Sequence, residues 1–202
     1  DVDVYSEGLI AIRNETGYSY YNSLGDKQFG EYDYAGTFVN GIAAVRLGES
    51  WFLIDQHGTK ISNETYEDII LHANGSHAYN GVMIAKQNGA YSFYKDGERI
   101  GSYSEVDIIT DDEVVAVCTN EKWGFVDLEG NEIITPKFEA AESFSNGLAA
   151  VNNGEYWGFI NLDGVLVIDY RFLDTDYFNS AGTCMIETTT GVWQLLSRNI
   201  KE

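Results

Sequence analysis

Two stretches of the sequence are variants of one clause: KWGFVDLEGNEIITPKF at residues 122–138 and YWGFINLDGVLVIDYRF at residues 156–172. A chain that repeats itself at a period of 20–50 residues folds as stacked copies of one supersecondary unit, and no other feature here restricts the fold as strongly. Five further segments align under Trp123-Gly124-Phe125-Val126-Asp127, beginning at Tyr18, Trp51, Tyr91, Trp157 and Trp193. The consecutive spacings are 33, 40, 32, 34 and 36 residues, so the whole chain reads as about six repeats of ~33 residues in a single domain, 1–202.

Each repeat carries the marks of antiparallel β structure. A small-apolar run such as Gly147-Leu148-Ala149-Ala150-Val151 precedes the aromatic run, and a short polar or glycine-containing turn joins them as a hairpin. The aromatic run ends at a second turn, seen at Asp55 to Gly58, Asp127 to Gly130 and Asn161 to Gly164. There an Asx side chain bonds the backbone ahead of it and glycine takes the positive φ. A third run, such as Glu132 to Phe138, completes a three-stranded meander. No segment shows a sustained helical apolar period, so helix content is expected to be very low.

The aromatic strand is apolar on both faces, with positions one and three on one side and position four on the other. Such a sheet must be covered twice, which stacking between neighbouring repeats provides. The tryptophans are therefore expected in the core, and Gly124 and Gly158 are expected to leave room for a neighbouring repeat's Trp against the backbone.

The combination of GLAAV, KWGFVDLEGNEIITPKF and YDYAGTFVNGIAAV (residues 32–45) resembles the bacterial WG-repeat family across nearly the whole chain. The motif is degenerate where Tyr18, Ser19, Phe52, Tyr91, Ser92 and Gln194 replace its Trp or Gly. The resemblance implies a bacterial, exported or surface-associated array of β units that mediates binding, and it carries no shared catalytic residues. Two all-β architectures satisfy the period: a propeller-like closed ring of about six small blades, or an open β-solenoid. Closure is favoured because the last repeat stops near Ser197 while Tyr5-Ser6-Glu7-Gly8 matches Phe144-Ser145-Asn146-Gly147, so that Asp1 to Glu7 reads as a clasp.

Charge narrows the partners. Thirty-two acidic against 12 basic residues give a net charge of −20, which opposes nucleic acid and anionic lipid. The acids are spread along the chain as a solvated surface, with an acidic docking face for a basic partner as the alternative. Apolar runs are strand-length, so membrane insertion is not expected, and a monomer is. Cys118 and Cys184 fall at non-corresponding repeat positions, which argues against a disulfide.

Catalytic motifs are absent: no HExxH, P-loop, GxGxxG or GxSxG occurs, and the acidic run at Asp111 to Glu113 lacks calcium-loop order. No cofactor or metal is expected. The leading expectation is a non-catalytic scaffold for protein or ligand binding. A carbohydrate or cell-wall module is the alternative, suggested by 14 Tyr and 4 Trp, and a glycoside hydrolase with paired carboxylates stands third. The repeat rule breaks once. Phe138 to Gly147 spans 9 positions but Tyr66 to Gly81 spans 15, which places extra residues within 67–80. Insertions in repeat arrays map to loops on one face, often the binding face, so His72, Asn74, Ser76, His77 and Tyr79 are the candidate recognition residues.

Overall fold

A computed structural model of the chain describes residues 4–72, 75–96 and 98–197. The described residues contain β-strands and turns, and no helix of them is long and apolar enough to cross a membrane. The chain divides into two compact units, Asp1–Ser102 and Tyr103–Glu202. The division falls at the last residue of a strand, and each unit is built of three sheets.

In unit 1, sheet 1 comprises β1 (Ile10–Asn14), β2 (Gly17–Tyr21) and β3 (Lys27–Tyr32). Sheet 2 comprises β4 (Tyr34–Ala35), β5 (Ile42–Leu47) and β6 (Ser50–Asp55), and sheet 3 comprises β7 (Asp68–Ile69), β8 (Val82–Gln87), β9 (Ala90–Lys95) and β10 (Glu98–Tyr103). In unit 2, sheet 4 is β11 (Glu105–Val106), β12 (Val114–Thr119), β13 (Lys122–Asp127) and β14 (Glu132–Phe138). Sheet 5 is β15 (Ala140–Ala141), β16 (Leu148–Asn152), β17 (Trp157–Asn161) and β18 (Leu166–Phe172); sheet 6 is β19 (Asp174–Thr175), β20 (Thr183–Thr189) and β21 (Val192–Ser197). Strands neighbour one another in chain order and every strand pair is antiparallel.

A full repeat therefore has one strand more than the three-stranded meander. The addition is a two-residue strand, as in β11 and β15, too short to show any alternation in sequence. The expected turns are present. Asp127 Oδ1 accepts from the N–H groups of Glu129 and Asn131, and Asn161 Oδ1 from those of Asp163 and Val165. The hairpins into the small-apolar strands turn on Asn40-Gly41 and Asn146-Gly147, with both residues of each pair at positive φ.

The two apolar faces of each sheet do separate work. In sheet 5, Ala149, Val151 and Ile160 pack toward sheet 4 with Phe125 and Phe138, while Leu148, Ala150 and Phe159 pack toward sheet 6 with Phe178 and Ile186. The ring at position three repeatedly meets the turn phenylalanine of the next repeat. The pairs are Tyr20 with Phe38, Phe125 with Phe144 and Phe159 with Phe178, at 5.0, 4.9 and 5.1 Å between centroids. In sheets 4 and 5 position three is the deepest point: Phe125 and Phe159 are fully buried, whereas Trp123 and Trp157 are half-buried; Trp193 is exposed, and Trp51 of sheet 2 is a core residue as expected, beside a half-buried Leu53.

The glycine of the motif also has a different partner from the one expected. A Cβ at Gly124 would lie 2.6 Å from Ile134 O and Pro136 N, and one at Gly158 would lie 2.7 Å from Ile168 O. The space belongs to the bulged outer strand of the same sheet, not to a neighbour's Trp. Sheets 1 and 3 place a buried serine there and move the glycine across the ladder. Ser19 Oγ donates to Gly30 O at 2.8 Å and Ser92 Oγ to Gly101 O at 2.9 Å. These repeats are compensated, not irregular. Both cysteines are buried and free.

Of the N-terminal clasp, Asp1 to Asp3 lie outside the described residues. Ser6 Oγ donates to Phe38 O at 2.8 Å, as Ser145 Oγ does to Phe178 O at 2.6 Å. Glu7 Oε2 accepts from Gly41 N–H and Gln56 Nε2. This stretch is thus the hairpin turn of sheet 1, docked on sheet 2.

Candidate functional site

The insertion, between β7 and β8 of sheet 3, folds inward. Gly75, at φ 75°, closes a tight loop in which its N–H donates to His72 O at 2.8 Å and His72 N–H donates to Ser76 O at 3.0 Å. Thr37 N–H donates to Gly75 O at 3.0 Å, and Ser76 pairs with Thr37 in a parallel bridge. Gly36 makes this approach available, since a Cβ there would meet Gly75 O at 2.7 Å. Ser76 and His77 are buried, Ser76 Oγ donates to Ala78 O, and the His72 and Tyr79 rings lie 5.5 Å apart. Asn74 lies outside the described residues. Burial, with His72 beside it, pushes the His77 imidazole down to about 4, and burial lowers His72 as well. His77 Nδ1 is buried without a hydrogen-bond partner among the described residues. The loop brings His72, Ser76, His77 and Tyr79 together as a plug against sheet 2.

A second constellation, not anticipated from the sequence, lies in unit 2. Four residues after the aromatic that closes an outer segment, the chain reaches one equivalent position ahead of each of sheets 2 to 6, marked by a backbone bond to the small-apolar strand. Gly36, Ile70, Asp107, Glu142 and Asp176 give their N–H groups to Ala44 O, Ile84 O, Ala116 O, Ala150 O and Met185 O. In unit 1 the position is glycine or isoleucine; in unit 2 it is a carboxylate in all three sheets. The signal that could have found them is this constant offset from Tyr103, Phe138 and Phe172.

These carboxylates interact. Burial first, then the charges of Asp107, Asp176 and Asp174, push the Glu142 carboxyl up to about 8. Its Oε2 is buried without a hydrogen-bond partner among the described residues. Asp107 is the best served of the three: the Tyr177 hydroxyl donates to it, 2.7 Å from each oxygen, and Ser143 N–H donates to Oδ2 at 2.6 Å. Burial and Asp107 together raise the Tyr177 phenol far above its ordinary value. Beside Asp176 and Tyr177 opens a cavity of about 420 Å³, which also reaches Thr110, Asn179 and Cys184. Burial raises the Cys184 thiol to about 11, so it stays protonated and unreactive at neutral pH. No group of three or more His, Cys, Asp or Glu among the described residues has an arrangement that could hold a metal ion.

With the repeat geometry in place, comparison with known proteins adds the family. The WG-containing repeat profile matches residues 28–51, 123–157 and 157–186. Those segments of the chain are WG-containing repeats. Two of the matches begin at the Trp-Gly pairs of sheets 4 and 5, where that pair and the bulged outer strand occur together, and run on into the following sheet. Solved structures similar to this chain include Hsv2 of Kluyveromyces lactis, at 12% identity and a TM-score of 0.56 over 95% of this chain and 71% of that one. A form of that protein with loop 6CD replaced by a Gly-Ser linker gives 12%, 0.58, 95% and 74%. A eukaryotic initiation factor gives 14%, 0.58, 98% and 61%. At such identities the likeness is one of fold, an all-β, propeller-like array of small sheets. No curated protein matches the sequence.

Proposed function

We propose that this WG-repeat chain is a non-catalytic scaffold that binds a basic protein segment at the carboxylate end of unit 2. The observation that carries the reading is the repeat register of Asp107, Glu142 and Asp176: the strands are committed to packing, and one strand-end position is acidic in three successive sheets. A Lys or Arg side chain arriving there draws Glu142 toward its ionised form, so binding releases a proton and tightens as pH rises toward about 8. The exported or surface placement implied by the family resemblance belongs to the same proposal. The test is titration with a lysine- and arginine-rich peptide and an acidic peptide of equal length at low salt, against wild type and an Asp107→Asn/Glu142→Gln/Asp176→Asn variant with intact circular dichroism. The proposal expects saturable binding of the basic peptide alone, weakened by salt and lost in the variant. Equal binding by the variant would overturn it.

One observation favours a second reading. A carboxyl pushed up to about 8 beside further carboxyl groups is the kind of pairing a glycosidase uses. A glycosidase screen in which wild type is active and Glu142→Gln is not would select it. The sugar-binding alternative loses part of its motive, because Tyr18, Tyr20, Trp51, Tyr66 and Tyr103 are core residues.

A further inference from the structure

The junction between sheets 4 and 5 holds a cavity of about 380 Å³. Phe138, Ile160 and Leu166 form its apolar wall, and Lys137, Asn152, Asn153 and Tyr170 stand around the rest of it together with Glu139. Most of the polar oxygens are already engaged. Asn152 Oδ1 accepts from Gly154 N–H at 2.6 Å, and Asn153 Oδ1 accepts from the N–H groups of Glu155 and Tyr156 at 3.0 and 2.9 Å. The turn thus uses both carboxamide oxygens and, among the described residues, leaves both Nδ2 groups as free donors. Lys122 Nζ pairs with Glu139, whereas Lys137 has no carboxylate partner among the described residues and lies 5.0 Å from the centre of the Phe138 ring. Burial raises the Tyr170 phenol above its ordinary value, so its O–H stays a donor.

The repeat shows how this junction departs from the others. A backbone bond fixes the correspondence: Glu139 N–H donates to Asn152 O as Asp33 does to Arg46 O, Glu67 to Lys86 O and Leu173 to Glu187 O. The positions of Lys137, Glu139 and Asn152 are therefore held by Glu31, Asp33 and Arg46 between sheets 1 and 2, by Thr65, Glu67 and Lys86 between sheets 2 and 3, and by Arg171, Leu173 and Glu187 between sheets 5 and 6. In each of those sets the cation is matched or outnumbered by carboxylates. The position of Lys122 is Gly17, Ser50 or Tyr156 there, all uncharged. Between sheets 4 and 5, a neutral amide at Asn152 and the added Lys122 leave two cations to one carboxylate.

We propose that this cavity binds an organic carboxylate with an apolar body: Lys137 and the two carboxamides hold the carboxylate, and Phe138, Ile160 and Leu166 take the rest of the molecule. The volume falls in the range of about 300–1,000 Å³ that small-molecule sites occupy. A neutral sugar would need acceptors for its hydroxyl protons, and the one carboxylate lining the cavity is engaged by Lys122. The net charge of −20 does not oppose an anion here, because charges farther than about 8 Å are largely screened at physiological ionic strength and the lining groups decide. Asp107, Glu142 and Asp176 do not line this cavity, so the basic-segment reading and this one can fail separately. Two sources supply the chemistry: a free small acid, or the C-terminal carboxylate of a peptide ending on an apolar residue.

The probes are 3-phenylpropionate, its amide, and an acetylated peptide ending in Leu-Phe with a free or an amidated C-terminus. Each is titrated into the full chain and followed through the Nδ2 resonances of Asn152 and Asn153 and the backbone amide of Gly154. Saturable shifts are expected with the free acid, with at least tenfold weaker binding of its amide and a similar loss in Lys137→Gln. Asn152→Asp and Asn153→Asp keep the oxygen that the turn uses and remove the donor, so both should fold as wild type and lose binding likewise. A free-carboxyl peptide that binds as well as 3-phenylpropionate supports the site with a chain terminus as its source; binding of the small acid alone supports it with a free acid. Three results overturn the proposal: an amide that binds as tightly as the acid, acid binding unchanged by Lys137→Gln, or no shift with either carboxylate.

Discussion

Glu142 shows how a single residue couples packing to pH. Its carboxyl is held at about 8 in the folded chain against an ordinary value near 4.5, so the folded state keeps a proton that the unfolded state has released. The associated stability is complete below about pH 4.5 and is lost as pH rises through about 8. Glu142→Gln should therefore raise the melting temperature at pH 8 and leave it nearly unchanged at pH 4.5, as read by thermal melts across that range. His77 has the opposite sign. Its imidazole sits at about 4 against 6.5, so its contribution is present above pH 6.5 and is lost as pH falls through 4. The protection factor of the Thr37 amide, which is bonded to Gly75 in the same loop, should fall over that interval in wild type and less so in His77→Phe. Gly124→Ala should destabilise by on the order of 1–3 kcal/mol, because the added carbon meets the backbone of β14 and not a movable side chain. Urea denaturation checks it.

Among the elements, strands and turns were legible in the sequence because each is set by local chemistry. Asp127 and Asn161 announce Asx turns, Gly147 announces a hairpin, and the alternation in WGFVD announces two buried faces. What was not legible depends on contacts across the ladder. The exchange of Gly124 for the Ser19–Gly30 pair, the two-residue strands and the register of Asp107, Glu142 and Asp176 appear only when strands are laid side by side. The insertion illustrates the same limit: its composition of His, Ser and Tyr suits a recognition surface, yet Gly36, just past β4 and distant in sequence, lets it pack inward. Shortening residues 72–77 to the length of the fourth repeat removes the Thr37–Gly75 bond and uncovers sheet 2. A loss of about 1–2 kcal/mol in chemical denaturation is expected, where a free surface loop would cost only a few tenths.

For the whole molecule, the central claim is that the repeat motif is a packing device whose anchor is the ring at position three. That ring, as Phe125 or Phe159, is buried in one sheet and meets the turn phenylalanine of the next, while the more conspicuous Trp123 and Trp157 at position one are only half-buried. Large-to-small changes at fully buried aromatics cost about 3–5 kcal/mol, and half-burial reduces that to about 1–3. The most direct measurement is equilibrium denaturation of Phe125→Ala and Phe159→Ala beside Trp123→Ala and Trp157→Ala. Both Phe variants should lose about 3–5 kcal/mol and each should fall below its Trp counterpart. Phe variants within about 0.5 kcal/mol of wild type, or Trp variants that lose more than the Phe variants, would contradict the account.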